Sequence, residues 1–184
     1  ADRAGGVALL QGGEGELPAW VEQLRVGALD DPDPDVVAQA LWQASLRRSP
    51  AALPALARVA THSTPMNRLR ATESLAMSPG LGYPALVTLV RDPEALIRRC
   101  AVRAVALGVQ VSTDDVVSAL MEASRDPDEQ VRSSALAGLA VRGLPGTAGL
   151  IAAQLDKGQV GPQLLQAAEL AADPALMPAL ARFA

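Results

Sequence analysis

The sequence predicts an all-α chain, a solenoid of stacked helical hairpins, and three observations lead there. The phrase Asp92-Pro93-Glu94-Ala95-Leu96-Ile97-Arg98 returns as Asp126-Pro127-Asp128-Glu129-Gln130-Val131-Arg132, a period of 34 residues in a chain of 184. Periods of that size mark supersecondary units that bury their apolar faces only by stacking on one another. Aligning on the Val/Ile position extends the series to Val36, Leu69, Ile97, Val131 and Leu164, with Ala40, Glu73, Ala101, Ala135 and Ala168 each four residues on. Apolar positions at offsets zero, four, five and eight, as in Val36, Ala40, Leu41 and Ala44, form one stripe of an α-helix. Short breaks carrying Gly and Pro separate the periodic segments, and short turns make neighbouring helices antiparallel.

Residues 1–16 hold five glycines and read as a Gly-rich segment or the remnant of an earlier repeat, ahead of a repeat domain over 17–184. An outer helix opens at Leu17-Pro18-Ala19-Trp20, where Pro in the first turn loses no hydrogen bond. The same opening is read at Leu53-Pro54-Ala55-Leu56, Tyr83-Pro84-Ala85-Leu86 and Met177-Pro178-Ala179-Leu180. Ser112-Thr113-Asp114-Asp115 and Pro145-Gly146-Thr147 replace it in between, by capping hydroxyl, first-turn acids or a turn. Inner helices are expected over 35–47, 65–77, 93–107, 128–141 and 162–171. Val109-Gln110-Val111 alternates like a strand but is too short to pair. About five hairpins result, followed by a half repeat from Pro174 whose stripe of Leu176, Leu180 and Phe183 has no following helix to cover it. Either the protein continues or that face is open to self-association.

Composition narrows the function classes. Half of the chain is apolar, enough for a core without disulfides or metals. The net charge of -4 disfavours wholesale binding of nucleic acid. The cations are fifteen Arg and the single Lys157, a bias suited to fixed, planar pairing with carboxylates. Cys100 is the only thiol, so no internal disulfide forms, and a reducing, cytoplasmic location is the expectation. No run of eighteen apolar residues is present, so no membrane span is expected.

With Asp-Pro ahead of the inner helix, Val/Ile-Arg in its first turn and Ala four residues after the Val/Ile, residues 92–108 and 126–142 resemble HEAT repeats. The flavour is the short bacterial HEAT-like type, also found in phycobilisome lyases. The resemblance extends as an array over 17–184, although Val37 stands where Arg is expected, Ser63-Thr64-Pro65 replaces Asp-Pro, and the repeat at Leu164 has neither Asp-Pro nor Arg. It implies a right-handed superhelix of HEAT-like hairpins. It also implies a structural ladder of ion pairs drawn from Asp92, Asp126, Arg70, Arg98 and Arg132.

Candidate sites follow from the same wheel. Asp31, Asp33 and Asp35 alternate as a calcium loop begins, but Val36 takes the place of its Gly and Trp42 that of its closing Glu, so they read as caps and no metal site is expected. His62, read in the loop 61–64, lacks an adjacent carboxylate and nucleophile; no catalytic constellation and no cofactor are expected. Positions at offsets two, six and nine should face away from the core. They include Trp42, Leu75, Arg99 and Arg103, which form either an apolar-to-basic strip of residue types that dominate binding hot spots or a structural set in which Trp42 folds over the next repeat and the two arginines reach acids such as Asp92 or Glu94. The expected function is a non-catalytic scaffold or adaptor that binds a partner protein, an acidic or amphipathic segment, on its concave face. Ala106 in the third repeat and Ser133, Ala137 and Ala140 in the fourth fall on the same outward offsets, and the small residues of the fourth repeat leave room for a close neighbour. The alternatives are a bilin lyase-like chromophore handler, for which four aromatic residues are few, and a HEAT-like nucleic-acid-binding protein or DNA glycosylase, which needs a basic concavity.

Overall fold

The computed structural model describes residues 18–47, 49–109, 113–158 and 160–183, and among these the structure is helices and turns with no strand. The reading of residues 1–16 lies outside the described residues, as do Gln110 and Val111 of the strand-like triplet. The helices are α1 (Ala19–Gly27), α2 (Pro34–Arg47), α3 (Leu53–His62), α4 (Pro65–Ala76), α5 (Pro79–Leu89), α6 (Ala95–Gly108), α7 (Asp114–Ala123), α8 (Glu129–Val141), α9 (Thr147–Leu155), α10 (Pro162–Ala171) and α11 (Met177–Leu180). The chain divides into two compact units, Ala1–Ala85 and Leu86–Ala184.

In the first unit, α4 packs on both α2 and α3. Its core is the stripe of the inner helices with the facing residues of the outer one: Val36, Ala40, Leu41, Ala71 and Leu75 against Leu56, Val59 and Ala60, all at most 6% exposed. In the second unit, α8 is held between α6 and α10 and also touches α7 and α9. That explains why Ser133, Ala137 and Ala140, expected to face outward, are buried instead. The small residues there admit the neighbour directly: a Cβ on Gly138 would lie 2.7 Å from Ala106 Cβ. Ala106, also expected outward, is buried in that contact.

Two local expectations need correction. The helix containing Pro84 starts five residues earlier, at Pro79, so Pro84 lies inside α5 and does not open it. The amides of Leu81 and Gly82 donate to Ser78 O at 3.0 and 2.9 Å, and Gly82 sits where a Cβ would be 3.0 Å from Leu75 O. A start at Pro79 therefore lets the backbone close on α4, which a start at Tyr83 would leave unmade. His62 is the last residue of α3, exposed, and not part of a loop.

The more consequential correction concerns register. Counting from the N-cap, the core residue is third in every inner helix: Val36 after Asp33, Ile97 after Glu94, Val131 after Asp128 and Leu164 after Gly161. In α4 the cap is Thr64, whose hydroxyl accepts from Asn67 N, so the third position is Asn67 and not Leu69. Asn67 is buried and its amide donates to Pro34 O at 3.3 Å, which satisfies a polar group in an apolar position. The whole stripe shifts by two residues, to Asn67, Ala71, Thr72 and Leu75.

Arginine holds the hairpins together. Arg98 forks onto Asp126, Nε to Oδ2 at 2.8 Å and Nη2 to Oδ1 at 3.0 Å, with both side chains largely buried. Its Nη1 donates to Asp92 O and Pro93 O, and Arg132 does the same to Asp126 O and Pro127 O. The hydrogen bond to Asp126 holds the Arg98 guanidinium above its ordinary pKa. Asp92 and Asp126 each also accept the amide two residues on, at 2.9 and 2.8 Å. Arg142, which the sequence did not single out, donates to Val105 O, Ala106 O, Val109 O and Gly138 O at 2.6 to 3.0 Å. It thus caps the C-terminal carbonyls of α6 with a cation, where the helix dipole favours one, although burial lowers its pKa.

Candidate interaction surface

The residues singled out from the wheel have different fates. Trp42, on α2, is 56% exposed, as its offset predicts. Leu75 is 1% exposed and belongs to the core of the first unit, a correction that follows from the two-residue shift of α4. Leu69 and Glu73 take its place on the open side, half-buried and exposed. Arg70, expected in the ladder, is exposed on α4; the loop-closing position falls to Arg68, whose Nη1 donates to Ser63 O at 3.2 Å, the same spacing as Arg98 to Pro93.

Arg99 is engaged within the fold. It forks onto Asp128, Nε to Oδ1 at 2.9 Å and Nη2 to Oδ2, while Asp128 Oδ1 also accepts the amides of Gln130 and Val131. One carboxylate thereby caps α8 and binds α6 to it. The Arg99 guanidinium holds the Asp128 carboxyl below the usual carboxylate range. Arg103, one turn on, is exposed.

A groove of about 710 Å³ runs between α2 and α4 in the first unit, with Trp42, Gln39, Arg70, Glu73 and Met77 among its walls and the buried Leu41 in its floor. Trp42 and Met77 supply apolar surface, 56% and 48% exposed, beside one cation and one anion. Ser45 Oγ is turned back onto Trp42 O at 2.8 Å. Sequence reasoning missed Met77 and placed Arg70 and Glu73 in the wrong roles, because it set the register of α4 by apolarity. The spacing from the capping Thr64 carries the correct register.

Asp31, Asp33 and Asp35 form successive turns, with Asp31 Oδ1 and Asp33 Oδ1 accepting the amides of Asp33 and Asp35 at 2.9 and 3.0 Å. Among the described residues no group of three or more His, Cys, Asp or Glu is arranged to hold a metal ion, and no helix is long and apolar enough to cross a membrane. Cys100, within α6, is half-buried.

These features define a helical-repeat architecture, and known structures share it. The crystal structure of YibA from E. coli superimposes with a TM-score of 0.73 at 19% identity, covering 98% of this chain and 74% of that one. An engineered protein is similar with a TM-score of 0.59 at 17% identity, covering 97% and 98%. At such identities the likeness concerns the fold. No protein-family model and no curated protein matches the chain.

Proposed function

We propose that this protein is a non-catalytic, HEAT-type interaction module, and that the groove between α2 and α4 receives an amphipathic segment of a partner protein. The observation that carries the reading is Trp42, an indole 56% exposed beside a groove of about 710 Å³. Leaving a large aromatic face in water forgoes about 1.5–3 kcal/mol of burial, which a partner recovers on docking. Arg70 and Glu73 stand on one helix three residues apart and offer a carboxylate and a cation of the partner a place each. An amphipathic helix, with apolar anchors on one side and both charges beside them, matches that pattern. Among the described residues the groove holds a single aromatic, which favours a peptide over a flat chromophore.

The test is affinity capture from native extract, comparing the unaltered chain with a Trp42→Ala/Met77→Ser variant. Partners that bind in the groove should be lost from the variant. The segment responsible is then titrated against a Trp20→Phe chain, so that Trp42 alone reports; a blue shift of its emission on binding is expected. Equal capture by both chains, or a bound segment that leaves Trp42 emission unchanged, would refute the groove.

A further inference from the structure

Two clefts in the second unit occupy equivalent places in successive repeats. The first, of about 340 Å³, is lined by Val90, Arg91, Asp92, Pro93 and Arg98 with Glu122, Ala123 and Asp126 facing them. The second, of about 490 Å³, is lined by Ser124, Arg125, Asp126, Pro127 and Arg132, each 34 residues on from its counterpart, with Leu150, Gln154 and Lys157 among those opposite. The backbone design is the same, since Arg98 and Arg132 close their own loops by the same pair of carbonyl bonds.

The charges differ. In the first cleft Arg91 is met by Glu122, Nε to Oε2 at 2.8 Å and Nη2 to Oε2 at 2.6 Å, and Arg98 is met by Asp126. Two arginines thus face three carboxylates. In the second cleft the residue in the place of Glu122 is Asp156, which pairs with Arg182 and does not line the cleft. Ala123 is replaced by Lys157. Three cations now face one carboxylate, Asp126, and that one is already bound to Arg98. Arg125 and Lys157 are exposed, and neither pairs with a carboxylate among the described residues.

We propose that this second cleft is a docking site for an acidic segment of a partner protein, whose carboxylate takes the place on Arg125 that Glu122 holds on Arg91. Lys157 supplies a second cation, and Leu150 with Pro127 supplies an apolar floor for a neighbouring side chain. A protein segment suits the cleft better than a nucleic acid. The charge is local, on a chain of net charge -4, and at physiological salt a short segment senses little beyond about 8 Å, whereas a long polyanion meets the acidic molecule around it. Exposed ion pairs are weak singly, so binding should be modest and salt-sensitive. This surface is separate from the groove at Trp42, and the two proposals stand or fall independently.

The experiment is fluorescence anisotropy with a labelled peptide of alternating Glu and Leu, titrated with the full chain at low and physiological salt. Saturable binding is expected, weakened by salt and reduced about tenfold or more by Arg125→Glu/Lys157→Glu. Because both side chains are exposed, that variant should keep its helical circular dichroism, and Arg125→Gln/Lys157→Gln provides a milder second variant that should lose affinity in the same direction. Removal of an exposed cation in the first unit, Arg58→Gln, should leave the affinity unchanged. Absence of saturable binding, equal binding by both double variants and the unaltered chain, or displacement by single-stranded DNA as effective as by unlabelled peptide at physiological salt, would overturn the proposal.

Discussion

At the scale of the residue, identity matters less than the space and the register a position occupies. Gly138 and Gly149 are both helical, yet a Cβ at Gly138 would press to 2.7 and 2.8 Å from Cβ and Cα of Ala106, whereas at Gly149 nothing lies within 4 Å. Gly149→Ala should therefore stabilise the protein by about 0.5–1 kcal/mol, through helix propensity alone. Gly138→Ala gains the same propensity but forces two packed helices apart, a cost of about 1–3 kcal/mol, and should be destabilising on balance. Thermal or urea unfolding of the two variants measures the opposite signs. Trp42 was legible from the wheel of α2, since that helix obeys the common register. Leu75 was not, because Asn67 stands in an apolar position, where its bond to Pro34 O satisfies it, and the register of α4 was set by apolarity instead of by the cap at Thr64.

At the scale of the element, caps and cross-helix ties are shared between the same few side chains. Asp128 caps α8 and fixes Arg99 of α6, and its carboxyl is held below the usual range chiefly by that arginine. A carboxylate with a depressed pKa in the folded state contributes stability that is complete above its unfolded value of about 3.9 and is lost as pH falls through the folded value. Asp128→Asn should remain a good helix cap while losing the ion pair. The variant should then be less stable than the unaltered chain at neutral pH, and the two unfolding midpoints should converge as pH is lowered below about 4. A constant gap across that range would show that Arg99 contributes nothing through charge. The resemblance to HEAT repeats carried by the Asp-Pro and Ile-Arg phrase implied such ties, and the Arg98–Asp126 fork is one of them. The partner of Arg99, Asp128 of the next repeat in place of Asp92 or Glu94, was not legible because a wheel sorts residues by direction and carries no distance to the next repeat.

At the scale of the whole molecule, stability is the sum of contacts between adjacent elements, as in other repeat arrays. Helix α8, held on several sides, should exchange its amide hydrogens slowest in the second unit, with protection greatest over residues 131–140. The short α11 should exchange first; hydrogen exchange with mass spectrometry reads both, and equal rates would contradict the layered packing. Arginine usage fits this picture, since Arg58, Arg91, Arg98, Arg99 and Arg182 each reach an acid 26 to 31 residues away. The sequence by itself determined the all-helical class, the hairpin period and most helix limits, because those depend on local periodicity, caps and turn residues. Which faces remain open, where Arg70 and Leu75 point, and which of two equivalent clefts lacks its acid were decided only in the tertiary structure. The reason is physical: burial and ion pairing depend on what the next hairpin presents, and a helix two residues out of the common register shows water a different face.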